Sequence, residues 1–142
     1  MKETALRDLS EKTVLYLEDE ILIGLDGELI LEDIGFGTVL LCHTLETAHI
    51  HLENRHIDFA LLDINLGDGR TSLSFAKSLR EKGVPIAFAS GYNRSEDLTC
   101  DFSAPVVVKP FSNVTIRNAV MLALSNHDAG GGAGAGGAGD DA

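Results

Sequence analysis

The stretch Phe59-Ala60-Leu61-Leu62-Asp63-Ile64-Asn65 decides the fold of this chain. It is a short apolar run that ends in a carboxylate, and turn residues follow at positions 67–69. An apolar run of this length between turn signals is typical of a strand that is buried on both faces. Such strands belong to parallel sheets covered by helices, where functional groups collect at the carboxyl ends of the strands. The pattern therefore predicts an α/β fold with Asp63 at the functional edge of the sheet.

Three other strand-like runs also end in polar residues that parallel packing would bring to the same edge. These runs and the residues that follow them are Val14–Leu17 with Glu18 and Asp19, Pro85–Ala89 with Ser90, and Val106–Val108 with Lys109. For any one of these residues, a solvated loop side chain is the simpler interpretation. The convergence of all five functional side chains, including Asp63, favours a functional site.

Segments with helical spacing of apolar residues alternate with the predicted strands. The strands are Val14–Leu17, Thr38–Cys42, Phe59–Asp63, Pro85–Ala89 and Val106–Val108, and the helices are Ile21–Ile34, Leu45–Asn54, Ser72–Lys82 and Asn113–Ser125. This alternation predicts a five-stranded parallel sheet with helices on both faces. Gly35 is predicted to end the first helix and Ser112 to cap the last. Gly24 and Gly27 weaken the first predicted helix, and the sequence offers no reason for them.

Composition divides the chain of 142 residues into three parts. We expect a lead-in at residues 1–12, one folded domain at 13–126, and a flexible tail rich in Gly and Ala at 127–142. The net charge of −11 argues against nucleic-acid binding, and no basic block supports a membrane-surface role. Because residues 1–12 lack the apolar core of a signal peptide, we expect a cytoplasmic protein.

Carboxylates at adjacent strand ends repel one another strongly. Two like charges about 4 Å apart interact with about 4 kcal/mol at an effective dielectric constant of 20. Either one carboxyl group takes up a proton, or a cation lies among them. A pocket of few carboxylates with room for water suits Mg²⁺. With Lys109 and Ser90 nearby, such a pocket suits a phosphoryl group, and a carboxylate can act as its nucleophile.

From Val14 to about Leu124 the chain resembles the receiver domains of response regulators in two-component signalling. The motifs that carry this resemblance are, in chain order, Leu17-Glu18-Asp19-Glu20, Leu61-Leu62-Asp63-Ile64-Asn65-Leu66, Phe88-Ala89-Ser90-Gly91 and Val108-Lys109-Pro110-Phe111. The resemblance implies a doubly wound, flavodoxin-like sheet in the order 2-1-3-4-5. It also implies a protein that acts by contact and catalyses only its own phosphorylation and dephosphorylation, with a downstream adaptor protein as a candidate partner.

The resemblance assigns a role to each residue of the predicted site. Asp63 would be phosphorylated by a sensor histidine kinase or a phosphotransfer protein. Mg²⁺, or Mn²⁺ in its place, would be held by Asp63, Asp19 and the main-chain carbonyl of Asn65, with Glu18 acting through water. Ser90 and Lys109 would hold the phosphoryl group. The peptide bond between Lys109 and Pro110 would be cis.

One departure from the family concerns the switch residue. Receivers usually carry an aromatic residue three positions before the lysine, and here that position is Val106. The stretch at residues 85–92 instead resembles the Pro-Phe-x-Phe-Ala-Thr-Gly-Gly/Tyr motif of an alphaproteobacterial subgroup, whose members are often single-domain regulators. We therefore hypothesise that Tyr92, Phe88 and Gly91 take over the role of this aromatic residue. Contact between the phosphoryl group on Asp63 and Ser90 would act through these three residues on partner binding. Unchanged partner binding by phosphorylated Tyr92→Ala would refute this hypothesis.

Two other functions compete with the receiver interpretation. A Mg²⁺-dependent phosphohydrolase of the aspartyl-phosphate type needs a second acid two residues after the nucleophile, where this chain has Asn65. A flavodoxin-like ligand binder needs an anion loop after the first strand, where Glu18 and Asp19 would repel a phosphate.

Overall fold

The computed structural model describes residues 8–91 and 102–126 as a sheet flanked by helices. The strands are β1 (Thr13–Leu17), β2 (Thr38–Cys42), β3 (Phe59–Asp63), β4 (Ile86–Ser90) and β5 (Val106–Val108). The helices are α1 (Ile21–Ile34), α2 (Leu45–Asn54), α3 (Leu73–Glu81) and α4 (residues 113–126). These bounds differ from the predicted ones by no more than one residue at either end.

The five strands form a single parallel sheet in the order β2-β1-β3-β4-β5. Every residue of β3 and of β4 is buried, as a strand covered by helices on both faces must be. The predicted doubly wound α/β fold and its strand order are therefore confirmed. Since all five strands are parallel, their carboxyl ends lie along the same edge of the sheet.

Two apolar layers hold the helices against the two faces of the sheet. Alternate residues of β1 belong to different layers, with Leu15 and Leu17 on one side and Val14 and Tyr16 on the other. The first layer includes buried residues of α2 and α3, and the second includes those of α1 and α4. This alternation is the period-two pattern of a strand buried on both faces.

The predicted end of the first helix at Gly35 and the predicted cap of the last helix at Ser112 are both confirmed. Gly35 follows the last residue of α1 at a φ of +125°, and its N–H donates to the carbonyls of Leu31 and Glu32. At the start of α4, the Ser112 hydroxyl accepts a hydrogen bond of 3.2 Å from the N–H of Thr115.

Several sequence predictions fall outside the described residues. They concern the first seven residues of the lead-in, most of the Tyr92–Ala104 segment, whose few apolar positions predict that any helix there is short or unstable, and the tail at 127–142. Within the described lead-in, Leu9 is only 3% exposed and packs in the layer shared by α1 and α4. Among the helices of residues 8–91 and 102–126, none has the length and apolar character needed to cross a membrane.

The structure explains Gly27, one of the two glycines in α1. A Cβ at position 27 would lie 2.5 Å from the hydroxyl oxygen of Tyr16, whose ring is fully buried between β1 and α1. A Cβ at position 24 would instead lie 3.2 Å from a methyl group of Leu41 and 3.3 Å from Cε1 of His43, a much smaller overlap with two half-buried side chains. Gly27 therefore allows α1 to approach a large ring closely, which a pattern of apolar spacing does not reveal.

We expect Gly27→Ala to destabilise the protein and Gly24→Ala to leave it nearly unchanged. Overpacking at position 27 should lower the free energy of unfolding by about 1–3 kcal/mol. This loss exceeds the stabilisation expected from the higher helix propensity of alanine relative to glycine. Urea denaturation of the two variants beside the wild type measures the difference. Equal stabilities of the two variants would contradict the proposed contact with Tyr16.

Candidate functional site

The carboxyl ends of four neighbouring strands bring the predicted residues together. Backbone hydrogen bonds fix the relative positions of these ends. The N–H of Glu18 donates to the carbonyl of Cys42 over 2.9 Å. The N–H of Lys109 donates to the carbonyl of Ser90 over 2.8 Å. Asp63 is in register with Ala89, so it lies beside the strand that ends at Ser90. The sheet itself thus positions each group, with no long loop in between.

Three carboxylates form a cluster at this edge. Glu18, Asp19 and Asp63 each offer an oxygen, and these oxygens all lie within 4.8 Å of one another. Glu18 is fully buried and Asp63 is 4% exposed, whereas Asp19 is half-buried. Burial of like charges at this spacing is unfavourable without a compensating cation.

Lys109 provides one compensating charge from β5. Its Nζ lies 2.7 Å from Oε1 of Glu18 and 3.0 Å from Oδ2 of Asp63. The lysine side chain is 13% exposed, so water screens these ion pairs poorly. When all three carboxyl groups are ionised, one ammonium leaves two negative charges uncompensated within the cluster, the charge that one divalent cation carries.

The cluster perturbs the protonation of its members. Burial, reinforced by the charge of Glu18 and opposed by Lys109, raises the pKa of Asp63 to about 7. Burial alone would lower the pKa of Lys109, but its hydrogen bonds and ion pairs with Glu18 and Asp63 outweigh burial and raise that pKa. The lysine is therefore charged at neutral pH, while the charge of Asp63 depends on what else occupies the cluster.

The two oxygens of Glu18 have different partners. Oε2 accepts from the N–H of Glu20 over 3.1 Å, which ties the carboxylate to the start of α1. Oε1 pairs with the Lys109 ammonium at 2.7 Å and has no other hydrogen-bond donor among the described residues. A buried carboxylate oxygen in this position, with two more carboxylates within reach, fits a hard cation such as Mg²⁺.

Sequence reasoning missed His43 as part of the site. Its ring is half-buried, and Nδ1 lies 2.9 Å from the main-chain oxygen of Glu18. Because a carbonyl can only accept, Nδ1 carries the proton in this contact. His43 thus supports the backbone of Glu18 from the end of β2. Its position directly after a strand that neighbours β1 was the one available signal.

The turn after β3 borders the acid cluster. Gly67 has a φ of +86°, and a Cβ at this position would lie 3.3 Å from Oδ2 of Asp19. Asn65 is exposed and forms a bridge with Thr71 across the turn. Its role as a main-chain ligand of a metal stays a prediction.

The residues predicted to hold or sense a phosphoryl group have different environments. Ser90 is 1% exposed at the end of β4, and the Lys109–Pro110 peptide bond beside it is cis. Phe88 is fully buried in the core and contacts Phe102 edge to face, with ring centroids 5.3 Å apart. Gly91 is exposed, and Tyr92 lies outside the described residues.

Known proteins are similar to this chain in fold and in sequence. No protein-family model matches the chain. Among curated proteins, the phyllosphere-induced regulator PhyR of Methylorubrum extorquens is 30% identical over 115 residues, or 78% of this chain. That match covers 43% of PhyR, so the chain spans less than half of this relative.

Two solved structures match over almost their whole length. A response regulator receiver protein from Sinorhizobium medicae superposes with a TM-score of 0.71 and 25% identity, covering 84% of this chain and 99% of its own. SdrG from Sphingomonas melonis Fr1 superposes with a TM-score of 0.66 and 30% identity, covering 81% of this chain and 98% of its own. With its strand order and the acid cluster at the carboxyl edge, this chain belongs to the receiver domains of response regulators.

Proposed function

We propose that the chain accepts a phosphoryl group on Asp63 and signals by changing its contacts with a partner protein. The observation that supports this most directly is the cluster of three carboxylates and one lysine, which carries two uncompensated negative charges when it is fully ionised. An isolated structural ion pair would not need a third carboxylate. A site that receives both a divalent cation and a phosphoryl group does.

Each residue of the cluster has a distinct part in the transfer. An oxygen of Asp63 attacks phosphorus as the bond from phosphorus to the donor's imidazole nitrogen breaks, and the imidazole leaves with that electron pair. Lys109, now 3.0 Å from Asp63 Oδ2, is placed to hold a phosphoryl oxygen after transfer. The Ser90 hydroxyl holds another.

A divalent cation completes the site. Asp19 and Asp63 are the carboxylates that would hold Mg²⁺ or Mn²⁺ directly, together with the carbonyl of Asn65, while the more deeply buried Glu18 would act through water. When bound, the cation neutralises the charge that develops on the phosphoryl oxygens. Its charge also favours the ionised form of Asp63, the form that can attack.

The donor is a sensor histidine kinase or a phosphotransfer protein, and a downstream adaptor protein reads the result. The chain itself catalyses only its own phosphorylation and dephosphorylation. Asn65 supports this restriction, because an amide cannot supply the general acid that a phosphohydrolase needs two residues after its nucleophile. Phe88 is fully buried and contacts Phe102, so within the proposed switch of Tyr92, Phe88 and Gly91 it supports the other two residues from the core.

The first test uses acetyl phosphate, a small donor that requires no cognate kinase. With Mg²⁺ present, we expect incorporation of one phosphoryl group that hydroxylamine removes, as it removes acyl phosphates. Asp63→Asn and chelation of the metal should each abolish incorporation. Asp68→Asn, an exposed aspartate in the adjacent turn, should retain it. Undiminished incorporation in Asp63→Asn, or continuous turnover of a phosphate ester, would contradict the proposal.

The second test follows from the pKa of Asp63. This pKa is about 7 in the folded protein against an ordinary 3.8, so the folded state holds an extra proton between these values. Without metal, the free energy of unfolding should therefore fall as the pH rises from about 4 through 7. At about pH 8, Asp63→Asn should be more stable than the wild type by about 2–4 kcal/mol.

Urea denaturation in chelator across this pH range measures that difference. Asp68→Asn should follow the wild type, because its carboxylate is exposed in both states. The same pH slope in Asp63→Asn as in the wild type would show that the titration belongs to another group.

A further inference from the structure

Helix α1 carries an apolar stripe on the face that points away from the sheet. Leu22, Leu25 and Leu29 have the i, i+3 and i+7 spacing that places residues on one side of a helix. Together with Ile21, these side chains are 47–80% exposed, whereas the face toward the sheet carries the buried residues of the helix, among them Leu31. A single exposed leucine is ordinary, but several on one helix face form the kind of patch that marks a contact surface.

The stripe forms one wall of an open groove of about 740 Å³. Most of the opposite wall is the turn after β5, where Pro110 is exposed and Phe111 is half-buried. The ring of Phe111 packs edge to face against the core residue Tyr16, with ring centroids 6.4 Å apart, so the core supports this wall. Lys109 lines the groove and also belongs to the acid cluster, so an occupant of the groove would lie next to that cluster.

The flanks of the stripe are acidic. Asp26 and Glu32 are exposed on α1, and Glu20 is exposed at the start of the helix. Within residues 8–91 and 102–126, none of these three carboxylates has an ion-pair partner. Helix α1 contains no basic residue, and the lysine that lines the groove, Lys109, is already paired within the acid cluster. The surface is therefore apolar along its middle and negative at its edges.

We propose that this surface, formed by α1 and the turn after β5, binds an amphipathic helix of a partner protein whose apolar stripe is flanked by lysine or arginine. The apolar side chains of the partner would pack against the leucines of α1 and against Phe111, as a helix does in an apolar groove. The flanking cations would meet Asp26, Glu20 and Glu32. This complementary charge would favour such a partner over a neutral or acidic helix.

The charges argue against three other occupants. A second copy of the chain would place one acid-flanked α1 against another, and like charges brought together at an interface oppose binding. The acidic end of the chain at Asp140 and Asp141 would be repelled in the same way. An anionic membrane surface attracts basic segments, so it would also be repelled.

The test measures the binding of a labelled helical peptide to the full chain by fluorescence anisotropy. The peptide has leucines in one stripe at i, i+3, i+4 and i+7 spacing and lysines on both sides of the stripe. A control peptide has the same leucines and glutamates in place of the lysines. We expect one lysine peptide to bind per chain, more weakly as salt is raised, and the glutamate peptide to bind at least about tenfold more weakly. Equal binding of the two peptides, or several peptides per chain, would overturn the proposal.

Variants locate the binding site on the molecule. Leu22→Ser and Leu29→Ser should each raise the dissociation constant of the lysine peptide about five- to tenfold, since each removes apolar area that the peptide would cover. Leu122→Ser removes an exposed leucine of α4 outside the groove and should leave the constant unchanged. Asp26→Asn should raise it about two- to threefold, whereas Asp68→Asn should not. Equal effects of the Leu122 and stripe substitutions would contradict the proposal.

Two further measurements identify the occupant. Light scattering should give the same mass for the wild type and Leu25→Ser; a dimer that this substitution dissociates would mean that the surface binds a second copy, and the proposal would be wrong. Residues 1–7 include Lys2 and Arg7. If Lys2→Gln with Arg7→Gln tightened binding of the lysine peptide, that segment of the chain would be the occupant and the proposal would also be wrong. Unchanged binding by the double variant supports a separate partner.

Binding at this surface does not depend on phosphorylation of Asp63. Leu22→Ser and Leu29→Ser should accept a phosphoryl group from acetyl phosphate at the wild-type rate, because neither side chain belongs to the acid cluster. Their urea denaturation should also match the wild type, since both side chains are exposed. Peptide binding without labelling of the wild type would reject only the proposed function, and labelling without peptide binding would reject only this surface.

Discussion

Mutual repulsion among three carboxylates at one edge of the sheet is the constraint on which the rest of this structure depends. Two like charges at the 4.8 Å limit of the cluster interact with roughly 3 kcal/mol at an effective dielectric constant of 20. The parallel strand order brings these groups together, and the same order brings the Lys109 ammonium between Glu18 and Asp63. One ammonium does not balance three ionised carboxylates, so the cluster takes up either a proton on Asp63 or a further cation.

Burial and backbone hydrogen bonds of the sheet keep the carboxylates in this unfavourable arrangement. β3 and β4 are buried throughout, and the backbone hydrogen bond from Lys109 to Ser90 fixes the strand ends. His43 and the N–H of Glu20 hold the main chain and side chain of Glu18. The strands that carry Asp63 and Ser90 are thus held in place by burial and backbone pairing.

Much of the fold could be predicted because its signals are local. Buried strands, helical spacing and stop residues such as Gly35 gave element bounds within a residue of those observed. The sequence also indicated which strand ends carry polar groups, and parallel pairing was enough to bring Glu18, Asp63 and Lys109 together. Two features could not be predicted because they depend on contacts between distant segments. These features are the fit of Gly27 against Tyr16 and the support that His43 gives to Glu18.

The central claim is that Asp63 is a buried carboxyl group whose ionisation depends on a divalent cation. The most direct measurement is the titration of its carboxyl carbon by NMR, with and without saturating Mg²⁺. The account predicts a midpoint near 7 without the metal and a midpoint at least about one pH unit lower with it. A midpoint near the ordinary value of 3.8 without metal, or one that Mg²⁺ leaves in place, would contradict it.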